Sequence, residues 1–199
     1  MKLKLLAAAL LSASALSGCM AGMGTKSDTS MSGSAAMAHG NPMVGGAMMY
    51  ASKDIIDNAV NSKDHTTLVA AVKDAGLVDT LKGPGPFTVF APTNAAFDLL
   101  PAGTVDTLLK PANKATLTSV LTYHVVPGRL DSTALAAKIR AGGGSATLTT
   151  VQGEPLKVTM HDDDVMLTDA KGNTAMVTTA DVMQSNGVIH VVNTVLMPK

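Results

Sequence analysis

The chain has 199 residues, 46% hydrophobic but only 3% aromatic, with 15 basic and 15 acidic side chains, no tryptophan and one cysteine. A neutral balance with no basic stripe, and few rings on which bases would stack, argues against nucleic-acid binding. One thiol excludes an internal disulfide framework.

Residues 1–18 read as an export signal. Lys2 and Lys4 form its positive start, and Leu5 to Leu16 form an apolar run of about twelve residues, inside the range of a signal h-region. A spanning helix needs ~20. The run closes as Leu16-Ser17-Gly18-Cys19, which resembles a bacterial lipobox: cleavage precedes the cysteine, and Cys19 is lipidated. An ordinary secretory cut after Ala13-Ser14-Ala15 is the competing reading, since that triplet also has the small-x-small pattern. Met20 rather than Asp follows the cysteine, and the resemblance to lipoprotein signals then implies the outer membrane. Losing Lys2 and Lys4 with the signal takes the 15 basic residues to 13 against 15 acidic, a formal charge of −2.

Residues 19–49 are dominated by Gly, Ser, Ala, Thr and Met, with Lys26 and Asp28 as the charges and no sustained apolar period. This composition predicts a flexible tether. Its methionines include Met37 and Met43 on either side of His39, and thioethers with an imidazole suit Cu(I). The spacing matches no tight copper box, and flexible filler or oxidation scavenging is the plainer reading.

Residues 50–199 have the length of one domain. Ile55, Ile56, Ala59 and Val60 present one helical face, and Leu68, Val69 and Val72 another, with Thr66 or Thr67 available as a cap and Gly76 as a stop. Leu77–Leu81 makes a short third turn before Lys82-Gly83-Pro84-Gly85-Pro86 breaks the chain. Phe87–Ala91 reads as a fully buried strand ended by Pro92, after which Thr93 or Asn94 caps a helix through Phe97. A turn at Val105–Leu109, a break at Pro111 and a helix from about Asn113 to Leu121 lead to a short strand at Tyr123–Val126, stopped by Pro127-Gly128. A helix at Ser132–Ile139 follows. Strands are then expected at Ala146–Val151, Leu156–Met160, Val165–Leu167, Thr174–Thr178, Ala180–Met183, Val188–Val192 and Thr194–Met197, separated by Gly-, Asn- and Asp-containing turns. Helices crowded in the first half and strands in the second predict an α+β fold.

Three segments carry a family resemblance. Gly85–Phe97 (GPFTVFAPTNAAF) resembles the first signature box of the fasciclin domain, and Leu121–Gly128 (LTYHVVPG) and Asn186–Pro198 (NGVIHVVNTVLMP) fall where that family puts its later ones. The resemblance implies one compact fasciclin domain, a strand-rich wedge or sandwich with short helices along one side. It also implies a non-enzymatic adhesion or binding role, with Tyr123 and His124 as partner-binding residues. The residues themselves leave His124 as a half-buried histidine satisfied by a neighbour. His190, alternating with Ile189 and Val191, is expected to make a structural hydrogen bond in a polar network with Thr93 and Asn94.

Other constellations give little. His161-Asp162-Asp163-Asp164 lacks the spacing of a calcium loop and reads as a solvated hairpin turn. His65 reads as surface. There is no G-x-S-x-G, H-E-x-x-H, C-x-x-C or phosphate loop, and one glutamate, Glu154, to work with the aspartates. The expectation is a monomeric domain without cofactor, held to a membrane by lipid alone and binding an envelope or matrix protein or polymer. A small-ligand or copper carrier, using a domain pocket or the methionine-rich tether, is the alternative.

Overall fold

A computed structural model describes residues 41–199 apart from 102 and 163. The described chain opens with a hairpin of β1 (Met43–Val44) and β2 (Ala47–Met48). Three helices follow: α1 (Ile55–Ala59), whose Asp54 cap accepts from the Asp57 N–H, α2 (Thr66–Ala75), closed by Gly76 at φ 74°, and α3 (Val78–Lys82). β3 (Phe87–Pro92) runs into α4 (Asn94–Asp98), capped by Thr93 Oγ1 on the Ala96 N–H at 3.3 Å. Then come α5 (Thr104–Leu108), α6 (Lys114–Tyr123), β4 (Val125–Pro127) and α7 (Ser132–Ala141). Strands β5 (Ser145–Thr149), β6 (Pro155–His161), β7 (Asp164–Thr168), β8 (Thr174–Gln184) and β9 (Gly187–Val192) complete the domain. The α+β class and the order of helices before strands are as the sequence predicts.

Seven strands form one sheet in the order β4-β3-β9-β8-β7-β6-β5. β3 and β9 pair in parallel at its heart; every residue of β9 and all but the first of β3 are buried. Strands covered on both faces read as unbroken apolar runs, which is why these two were conspicuous in the sequence. Their pleat divides the interior into two cores. Val89, Ala91, Ile189 and Val191 face the helices α1 to α6, whereas Phe90 and Val192 face α7 and the antiparallel strands.

β8 joins the halves. Thr174–Met176 pairs with β7, and Val177–Gln184 pairs with β9 across two register shifts, with Asp181 at φ 59° in the second irregular stretch. One bulged strand therefore replaces the two expected at Thr174–Thr178 and Ala180–Met183, because a bulge interrupts the alternation without ending the pairing. The sheet's edges also approach one another: the Val151 N–H donates to the Val125 carbonyl at 2.7 Å.

Three expectations are corrected. Residues 41–49 are packed rather than free: Gly45 turns the hairpin at φ 59°, the Lys63 N–H donates to its carbonyl at 3.1 Å, and Val44 and Met49 are buried. Tyr123 ends α6 and His124 caps it, so the strand begins only at Val125. Thr194–Met197 forms no strand. Val195 and Leu196 are nonetheless buried, and the backbone is held by side chains, Leu196 N–H on His124 Nε2 and Met197 N–H on Asp169 Oδ2, both at 3.0 Å.

Two asparagines lock the connections. Asn94 Oδ1 accepts from the Thr67 N–H at 3.1 Å while its Nδ2 donates to the Lys63 carbonyl at 2.8 Å. The N-terminus of α2 is thus capped from α4, and neither Thr66 nor Thr67 is the cap. Asn186 Oδ1 accepts from the Ile55 N–H at 3.1 Å, and its Nδ2 donates to the Leu81 carbonyl at 2.7 Å. A side chain on the next residue is excluded, since a Cβ on Gly187 would overlap the Phe87 carbonyl. Asn186→Ala is expected to cost about 1–3 kcal/mol, because it orphans partly buried backbone groups on two helices. Urea unfolding checks this; an unchanged midpoint would remove Asn186 from the frame.

Candidate functional site

Tyr123 and His124 lie inside the protein, at 0% and 2% exposure. The Tyr123 ring fills the second core. Its hydroxyl donates to the Pro155 carbonyl and accepts from the Ala170 N–H, each at 3.0 Å, joining α6 to β6 and to the β7–β8 turn. Burial pushes its pKa up. His124 sits between the cores with both ring nitrogens used: Nδ1 meets the Val120 carbonyl at 2.8 Å, and Nε2 accepts from the Leu196 N–H at 3.0 Å. These partners fix a neutral imidazole protonated at Nδ1. Loss of hydration on burial lowers its pKa from 6.5 to about 4. Neither side chain is available on the folded surface for direct contact with a partner. Exposed chain resumes only after them: Pro127 closes β4 with an exposed side chain, and the exposed Arg129 turns its guanidinium back to donate to the Gln184 and Gly187 carbonyls.

The expected network of Thr93, Asn94 and His190 is three separate arrangements. Thr93 caps α4, and Asn94 clamps residues 63–67. His190 is completely buried on the opposite side of β9. There it stacks on Phe90, its Nε2–H donates to the Leu130 carbonyl at 2.7 Å, and its Nδ1 accepts from the Asp181 N–H at 3.4 Å. The parallel register explains the split. Phe90 and His190 are neighbours within the ladder, while Thr93 and Asn94 have passed its end.

His65, expected on the surface, is 4% exposed. Its Nδ1 shares a 2.9 Å hydrogen bond with the buried Ser62 hydroxyl, and burial lowers its pKa. The Asp64 charge, and after it the Ala91 backbone, favour the charged form but are outweighed by burial. Even so, Nε2 has no hydrogen-bond partner, alone among buried side-chain polar atoms of the described residues. His65 lines a cavity of about 70 Å³ in the first core, walled by α1, α2, β3 and β9 and covered by Val44 and Met49 of the hairpin segment. The polar stretch Asn61-Ser62-Lys63-Asp64-His65 carried no sign of burial, because the hairpin over it is remote from any helical or strand period.

Cys19, Met37 and His39 lie outside the described residues. Met43 is on β1 with 70% exposure, beside Met48 and Tyr50, which are also exposed. His161 ends β6 and Asp162 begins the β6–β7 turn, both with exposed side chains. Among the described residues no group of three or more His, Cys, Asp or Glu side chains is arranged to hold a metal ion. No described helix is long and apolar enough to cross a membrane.

Comparison with known proteins gives one answer. Residues 63–198 match the family model of the fasciclin domain. Protein sll1483 of Synechocystis sp. is 42% identical over 192 residues, 96% of this chain and 97% of that protein. The cell surface glycolipoprotein MPT83 of Mycobacterium tuberculosis is 39% identical over 172 residues, 83% of this chain and 70% of that one. The transforming growth factor-beta-induced protein ig-h3 of Sus scrofa is 38% identical over 144 residues, 72% of this chain but 19% of that much longer protein. Among solved structures, the domain pair of the insect cell adhesion molecule fasciclin I superposes with a TM-score of 0.65 at 17% identity. The match covers 73% of this chain and 51% of that two-domain chain, so it shows the fold.

The environment of His124 sets a pH dependence. Its folded pKa lies below the unfolded value, so on acidification the unfolded chain takes up the proton first. Stability present above pH 6.5 therefore drains as pH falls toward 4, by at most about 1.4 kcal/mol per pH unit from this residue. His65 and His190, also lowered by burial, add to the slope in the same direction. Urea unfolding of the wild type and His124→Gln across this range should show a shallower slope in the variant. Equal slopes would mean that His124 is not a titrating contributor.

Proposed function

The chain belongs to the fasciclin-domain family, and on that premise we propose that it is a non-enzymatic binding module of the bacterial cell envelope, tethered through a lipidated Cys19. The observation that carries this reading is the pairing of a signal-like start ending in the sole cysteine with a folded domain related to a cell surface glycolipoprotein. Outer-membrane placement follows from Met20 after that cysteine. The anchor is the acylated cysteine, since stable attachment takes more than one acyl chain and bacterial lipidation supplies them.

The chemistry of the domain supports binding over turnover. The signature residues Thr93, Asn94, Tyr123, His124 and His190 have their polar atoms engaged in capping or bridging backbone. The exposed chain that follows Tyr123 and His124 is the end of β4 and the start of the β4–α7 turn, Pro127–Arg129. That turn is braced from below: the Thr88 hydroxyl donates to the Gly128 carbonyl at 2.6 Å and accepts from the Leu130 N–H at 2.9 Å. We place the contact surface for an envelope or matrix polymer or protein at this turn.

Cell fractionation with mass analysis of the wild type beside Cys19→Ala tests the anchor. The mature wild type should begin at an acylated Cys19 and sediment with the outer membrane, and the variant should be released. A mature chain beginning at Leu16 without lipid would sink the tether. For the contact surface, Pro127→Glu should reduce retention of the domain on whole envelope preparations several-fold with the unfolding midpoint unchanged. Undiminished retention would place the contact elsewhere.

A further inference from the structure

The cavity beneath the hairpin is nearly all apolar, yet it is lined by a histidine with one nitrogen unspent. A buried polar atom normally finds a partner, and leaving it unpaired costs free energy. The geometry points to a binding site for a small uncharged apolar ligand, or the apolar end of a longer one, that carries a hydroxyl or carbonyl group for His65 Nε2. This site is independent of the turn assigned to partner contact: it lies on the helix-covered face of β3 and β9, within the first core.

The size sets a first limit. One water needs roughly 10–15 Å³ of such space and a benzene-binding cavity holds about 150 Å³. A cavity of about 70 Å³ thus suits a group on the order of five heavy atoms. Walls such as Ile55, Leu68, Val72, Val89, Ile189 and Val191 exclude a charged group, which would lose its hydration without compensation. The Ser62–His65 pair sets the polar preference. If Ser62 accepts from Nδ1–H, Nε2 presents a lone pair to a ligand hydroxyl; if the hydroxyl donates to Nδ1, Nε2–H meets a carbonyl. Val44 and Met49 of the hairpin segment form part of the lining, and the hairpin's hold on the rest of the domain includes the Lys63 N–H to Gly45 carbonyl bond and the apolar seating of these two residues.

The test uses two probes of nearly one shape, isobutanol and isobutyl chloride, titrated into the intact mature protein and followed by NMR of the wall methyl groups and of His65 Nε2. Both probes should shift the methyl resonances saturably, and only the alcohol should move the Nε2 resonance. His65→Leu should weaken the alcohol about tenfold, one charge-free hydrogen bond, and leave the chloride unaffected. Ala59→Leu, which fills the space from a helix, should abolish both while keeping or raising the unfolding midpoint. The site is overturned if neither probe shifts the wall methyls, if His65→Leu binds the alcohol as well as wild type, or if Nε2 holds an ordered water that the alcohol does not displace.

Discussion

The parallel pairing of β3 with β9 is the constraint on which the rest of the structure depends. The two strands come from segments about a hundred residues apart, and neither has a solvent face. Both must be covered before either is stable, so the helices have to close one side and the antiparallel strands with α7 the other. The polar residues flanking the pair follow from the same need. Where a twice-covered strand ends, the backbone must still find partners away from water. At those ends the side chains of Asn186 and Asn94 bond backbone groups of three helices, α1, α3 and α2, and so fasten the covering layer to the strand pair.

This changes how the three signature segments are understood. They mark the interior fastenings of the domain, and the exposed surface around them is held in place by those fastenings. Tyr123 illustrates the point. It spans the second core so that one hydroxyl fixes two strands' ends, and the adjoining His124 fixes the C-terminal segment that no ladder holds. A change at either residue removes backbone partners on elements distant in sequence, so its cost falls on the packing of the whole second core and the C-terminal segment.

The strand pair, its flanking breakers and most helices were legible in the sequence because each rests on local signals: β-branched runs, proline stops and apolar faces. The bulged β8 was legible as strand but not as one strand, since Asp181 breaks the alternation that marks continuity. Side-chain destinations were less accessible. His190 was read into a polar network with Thr93 and Asn94, whereas its partners Leu130 and Asp181 come from elements whose docking no local pattern specifies. His65 was missed because its burial is imposed by residues 43–49, a stretch whose composition reads as linker and whose two-residue strands are too short to show a period.

The hairpin's pairing has a mechanical consequence. β1 and β2 are antiparallel and two residues long, and beyond them the Met49 N–H bonds the Pro42 carbonyl at 2.9 Å. A pull applied to the chain ahead of residue 42 opens these contacts one at a time, as a zipper is opened, and they are far fewer than those of the long central ladders. The first movement under tension would be the lifting of Val44 from its seat, with the sheet intact. Drag on a domain held by its N-terminal end would then be felt first at the roof of the first core.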